Sequence, residues 1–244
     1  MRTLKLFTIL LLAPVLAVAQ EPIGHPGQDA ALAALAQLDE KLSPELAQKV
    51  RSIVTEATNR GLPGLAIANL ALQGVAKGRS GEEVRAAAEA FARDLAGSRA
   101  AFSQAGRVPD PSELEAGAIA MGLGVDGQTI SYVARNADRS GPLAVAVAVL
   151  GALVDANLPV GIARDAVLKR FNDGADNTEL VEMPGEAGRM IAAGMRPSEV
   201  GLALASQRLG GGMTLPAGPP PNVPRNDGRP GERPQLPVQP PVTP

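Results

Sequence analysis

The sequence predicts an all-α protein, built either from stacked short helical hairpins in the manner of an α-solenoid or as an irregular helix bundle. Three observations lead there. Ala, Leu, Val and Ile supply nearly all the apolar surface, since aromatics make up 2% of the chain and Trp is absent. Side chains this small let helices approach closely, and Ala is the best helix former because it loses no rotamer entropy. Apolar residues also recur at three-to-four spacing between Gly, Pro, Ser and Asp punctuation, the pattern of short amphipathic helices.

Taken in order, the chain divides into four parts. Residues 1–19, "MRTLKLFTILLLAPVLAVA", read as a signal peptide: Arg2 and Lys5 precede an apolar run, and Ala17-Val18-Ala19 fits the small-x-small cleavage rule. Residues 20–28 form a flexible lead holding His25, the single histidine. Residues 29–209 are the foldable, all-helical domain, long enough for a real core. Residues 210–244 hold 11 of the 22 prolines and almost no large apolar residue. Such a segment cannot offset its ordering entropy by burial and is expected to be a disordered, proline-rich tail with polyproline II character.

Within the helical part, "LSPELAQKVRSIVTEATNRG" puts Ser43 at an N-cap and Pro44 at the first helical position. Leu46, Val50, Ile53, Val54 and Ala57 form its apolar stripe, and Gly61 supplies the left-handed stop. The longest helix begins after Ser80 with Glu82 and Glu83 at its positive end, and Val84, Ala87, Ala88, Phe91, Leu95 and Phe102 line one face. "SGPLAVAVAVLGALVDANLP" is the most apolar internal stretch. At this length, with Asp155 inside it, a buried central helix is expected rather than a membrane span. About nine to eleven short helices are expected in all.

A recurrence becomes visible when the turns are aligned: an apolar residue after Gly or Asn, then Pro, Ser or Asp opening the next helix. Taking Leu62, Arg79, Val108, Val125, Leu158 and Met195 as anchors, the separations are 17, 29, 17, 33 and 37 residues. Seventeen residues is one helix plus its turn, so two make a hairpin near the tetratricopeptide length of roughly 34. The Trp, Tyr and Ala signature of that family is absent. Residues 61–95, "GLPGLAIANLALQGVAKGRSGEEVRAAAEAFARDL", together with the leader and the tail, resemble secreted helical proteins of environmental bacteria. That resemblance implies an exported helical protein and carries over no activity and no site residue.

The motifs that point to chemistry are few. "MGLGVDGQTI" contains G-x-G-x-x-G at Gly122, Gly124 and Gly127. A dinucleotide fingerprint needs a strand before it and a helix after it. Here the preceding stretch starts like a helix at Pro111 and Glu113, so Gly122 is expected to cap a helix, Gly124 to link, and Asp126 to start the next helix. The most acidic stretch, "FNDGADNTELVEMPGE", holds Asp173, Asp176, Glu179, Glu182 and Glu186. Asp173, Asp176 and Glu179 are weak calcium candidates, but the twelve-residue calcium-loop order is missing. A carboxylate-based or calcium-assisted hydrolase would use the same residues, although sugar-binding grooves usually bring aromatic rings and few are available. Cysteine is absent, which removes disulfides, a thiol nucleophile and a lipoprotein anchor. Removal of residues 1–19 takes away two positive charges and no negative ones, so the formal charge of −2 becomes −4, too mild to attract nucleic acid.

The leading expectation is therefore an exported noncatalytic scaffold that binds another envelope or secreted protein, in the periplasm or outside the cell. It needs no cofactor and has no transmembrane span once the leader is removed. A hydrolase and a carrier of a small ligand or lipid, the latter requiring an enclosed apolar cavity, are the alternatives.

Overall fold

The computed structural model describes residues 26–138 and 143–206, with side chains from Ala30 onward. These residues form ten α-helices and no strand: α1 (Pro26–Lys41), α2 (Pro44–Asn59), α3 (Gly64–Ala76), α4 (Gly81–Gln104), α5 (Pro111–Gly122), α6 (Gly127–Asn136), α7 (Ala144–Asp155), α8 (Val160–Asn172), α9 (Asn177–Ala192) and α10 (Pro197–Ser206). Helix α1 begins at Pro26, within the stretch read from sequence as a lead. The leader, His25 and the proline-rich tail lie outside the described residues.

One turn, used seven times, joins most of these helices. Gly61, Gly78, Gly106, Gly124, Asn157, Gly174 and Gly194 all adopt positive φ. At each, the left-handed residue donates its N–H to the carbonyl three residues back, and the next residue donates to the carbonyl five back, as Gly124 does to Met121 and Val125 to Ala120. This is the Schellman closure, which satisfies carbonyls that a helix end leaves orphaned. In most copies the residue after the left-handed one packs inward and the residue after that opens the following helix. Ser80, Asp110 and Asp176 do so with full capping boxes, their side chains accepting from the N–H groups of Glu83, Glu113 and Glu179.

One anchor changes position relative to the aligned turns and one is added. The turn after α4 carries two extra residues, Val108 and Pro109, so Arg107 occupies the anchor position and Val108 is 97% exposed. A further copy occurs at Gly174-Ala175-Asp176, with Ala175 buried as its anchor. Ala175 divides the 37-residue interval into 17 and 20. The remaining long interval, 125 to 158, spans α6 and α7; α6 ends on an extended C-cap, Ala137, in place of the left-handed closure.

Packing follows the chain. Among the described residues, every pair of helices in substantial contact lies one or two positions apart in the chain. Helices α2, α4, α6, α8 and α10 pack side by side in one series; α1 and α3, then α5, α7 and α9, pack in the other. This neighbour-only pattern belongs to stacked helical hairpins, in which each unit buries its apolar face on the next. Only α3 and α5 lack the packing that all other helices two apart share.

The break in the second series coincides with a division of the core. Leu35, Leu38, Val50, Val54, Leu62, Ile67, Val84, Leu95 and Leu114 belong to one buried cluster. Phe102, Ile130, Leu143, Val147, Leu150, Leu153, Leu158, Phe171, Leu180, Met183 and Met190 belong to the other. Helices α4 and α5 carry residues of both. They cross at Ser98 and Gly117, where a Cβ on Gly117 would overlap the Ser98 hydroxyl. Helix α7 meets α5 as closely: a Cβ on Gly151 would lie 2.9 Å from Ala120 Cα. Apolar almost all round, α7 is the buried central helix of the larger cluster, packed on α5, α8 and α9. No helix of the described residues is long and apolar enough to cross a membrane.

Candidate functional site

The glycine-rich stretch is a helix–turn–helix junction. Helix α5 runs through Gly122, Leu123 is its C-cap, and Gly124, with φ +99°, makes the left-handed stop. Asp126 is the N-cap of α6, accepting from the Thr129 N–H at 2.7 Å. The stop thus falls at Gly124, because the last turn of α5 is completed by Leu123. With a helix before the first glycine, the backbone N–H groups of Gly124 and Val125 are turned back onto α5 and are spent on its own carbonyls. A pyrophosphate cradle needs those donors free.

The acidic stretch is equally committed to secondary structure. Asp173 is the C-cap of α8 and pairs with Lys169, Nζ to Oδ2 at 2.8 Å. Asp176 is the N-cap of α9 and accepts from the Glu179 N–H at 2.8 Å, while its own N–H donates to Glu179 Oε2 at 3.0 Å. The other oxygen of Glu179, Oε1, lies 3.4 Å from Nη2 of the buried Arg170. Glu186 is buried against Arg189, and Glu182 is exposed. Each of the three calcium candidates therefore already has a cation or helix N–H partner. Among the described residues, no group of three or more His, Asp or Glu side chains is placed to hold a metal ion.

Two open depressions lie on the surface of the first half. One, about 490 Å3, is lined by the outer face of α2 with Gln48, Arg51, Ser52, Thr55, Glu56, Asn59 and Arg60. The other, about 320 Å3, runs between α2 and α4. Its floor is Ile53, Ala57, Leu62, Ala92 and Ala96, and its rims carry Glu56 and Arg60 on one side and Glu89 and Arg93 on the other. The two helices run parallel, since Leu42 and Leu46 at the start of α2 abut Gly81, while Arg60 and Gly61 at its end abut Arg99. Rim charges are partly spent within their own helices, Arg60 on Glu56 at 3.8 Å and Glu89 on Arg85 at 2.5 Å. The groove thus has an apolar floor with opposite charges on each rim.

Sequence reading missed the polar groups that bind distant elements together. Glu113 is buried; its Oε1 accepts from the Leu143 N–H at 2.8 Å and lies 3.6 Å from Arg107 Nη2, and its Oε2 accepts from the Asp110 N–H at 3.1 Å. Asn172 accepts from the Asp138 N–H at 3.0 Å and donates to the Asn136 carbonyl at 3.0 Å. Together they hold Asn136 and Asp138 after α6 and Leu143 before α7. Arg164 lies over the Tyr132 ring, 4.4 Å from its centroid, and joins α8 to α6. Partners 30 or more residues apart leave no signal in local spacing.

No protein-family model matches the chain, and neither curated proteins nor solved structures match it.

Proposed function

We propose that this chain is an exported, noncatalytic helical scaffold that offers its stacked helices to another protein of the bacterial envelope or exterior. The observation that carries the reading is the neighbour-only stack built on one recurring turn, because such stacks present a continuous surface of helix faces without needing an active-site cavity. Two features support it. Four of the five carboxylates of the 173–186 stretch serve caps and ion pairs, which leaves little for hydrolysis, and the α2–α4 groove is open and rimmed with both charges, unlike the enclosed apolar cavity of a carrier. The leader supports export.

The test is capture from the native envelope fraction by the leaderless protein, repeated with Ala92→Arg to fill the groove. A partner recovered by the unaltered protein and lost with Ala92→Arg is the expected result. Hydrolytic turnover lost on Asp176→Asn would replace the scaffold reading with the enzyme. Calcium titration followed by thermal melting is expected to leave the midpoint unmoved.

A further inference from the structure

We propose that α1, α2 and α3 form a flap that opens as a unit from the rest of the body, latched to α4 by Arg99. Among the described residues, the cluster that holds this flap contains 15 fully buried apolar residues, with Phe91 half-buried against them, while the cluster of the second half contains 26, including Phe102 and Phe171. Opening free energy scales with apolar area buried, so the smaller cluster is the weaker. The flap also meets the body on one side only. Its substantial contacts outside itself are α2 and α3 with α4; none of its helices packs substantially on α5 or beyond. The lack of substantial α3–α5 packing leaves the second series of helices weakly bridged at this point.

The latch is polar. Arg99 of α4 donates through Nη1 to the Arg60 carbonyl at 2.5 Å and through Nη2 to the Gly61 carbonyl, closing on the turn that joins α2 to α3. One guanidinium thus grips two carbonyls at the negative end of α2, the arrangement that a planar fork of donors makes best. Opening the flap would uncover Val84, Ala88 and Leu95 on α4, all now buried. The device converts a closed aliphatic seam into an exposed helix face without unfolding the second half.

Hydrogen–deuterium exchange of the full chain, resolved by helix, tests the proposal. Peptides of α1–α3 should exchange together, about tenfold or more faster than those of α7 and α9, as expected when one unit opens below the global limit. Arg99→Ala should speed exchange in α1–α3 by about a further tenfold, for loss of two charge-assisted hydrogen bonds, with α7 unchanged. Equal protection of α2 and α7 in the unaltered chain overturns the flap. Unchanged α2 exchange in Arg99→Ala, or equal acceleration in every helix, overturns the latch.

Discussion

Asn157 is the one non-glycine residue with positive φ among the described residues, at +68°, and it fills the position that Gly occupies in the other six turns. A left-handed L-residue clashes with its own carbonyl, a cost Asn softens but does not abolish. Asn157→Gly should therefore stabilise the protein by about 0.5 kcal/mol, and Gly174→Ala, which adds that clash, should destabilise it by about 1 kcal/mol. Urea titration reads both; a loss of stability in Asn157→Gly would contradict the turn geometry. A second residue-scale effect is electrostatic. Glu115 is half-buried, and burial pushes its carboxyl above the usual range. Between its unfolded and folded pKa values, the folded chain keeps a proton that the unfolded chain has lost. Stability therefore falls as pH rises through that window, and the penalty is complete above the folded pKa. Glu115→Gln should raise the melting temperature at pH 7 by about 1–2 °C for a body of this size and leave it nearly unchanged at pH 3. Equal gains at both pH values would point to a packing effect instead.

Helices and turns were largely legible because their signals are local. Pro44, Ser80, Asp126 and Gly61 each act within one turn of their own position, so Ser-x-x-Glu or Pro after Ser locates a helix start without knowledge of the fold. Ala175 escaped notice because it is small and sits between Gly174 and Asp176, in a stretch whose charges suggest a loop. Val108 misled for the opposite reason, an apolar residue placed in a two-residue insertion. Helix crossings were not legible at all, since Gly117 carries no mark that Ser98 lies opposite. The Ser98 hydroxyl is fully buried and has no hydrogen-bond partner among the described residues. Ser98→Ala should therefore stabilise the protein, by about 1 kcal/mol for an unsatisfied hydroxyl removed. Gly117→Ala should cost about 2 kcal/mol by overpacking the same crossing, and Ser98→Gly in that background should restore part of it. Additive effects in the double variant would show that the two side chains do not meet. The capping box at Ser80 responds to pH in the opposite sense from Glu115: the Ser80 N–H hydrogen bond holds the Glu83 carboxyl below its usual range, so its contribution is present above the unfolded pKa and fades as acid approaches the folded one.

At the scale of the whole body, one irregularity decides how the second half holds together. Seven helix junctions, four from α2 to α6 and three from α7 to α10, use the repeated turn, but α6 ends on an extended C-cap, Ala137, and does not pack substantially on α7. Their alignment has to come from elsewhere, and Glu113 supplies it: from the first turn of α5 its carboxylate receives the N–H of Leu143, the N-cap of α7, across 30 residues of sequence. Arg107, in the turn before α5, faces the same carboxylate at 3.6 Å, so this single group joins a turn, a helix start and the central buried helix. Removing it strands a buried N–H and uncouples a partly buried guanidinium, a combination worth about 3 kcal/mol. Glu113→Ala should accordingly lower the melting temperature by about 6–10 °C, whereas Glu182→Ala, at an exposed position on α9, should move it by less than about 1 °C. Glu113→Gln is the sharper variant, since its amide offers one acceptor where the carboxylate served two N–H groups and a cation; it should recover only part of the loss. If Glu113→Gln melts with the unaltered protein, α7 is held by apolar packing on α5, α8 and α9, and the polar tie from Glu113 to Leu143 is dispensable.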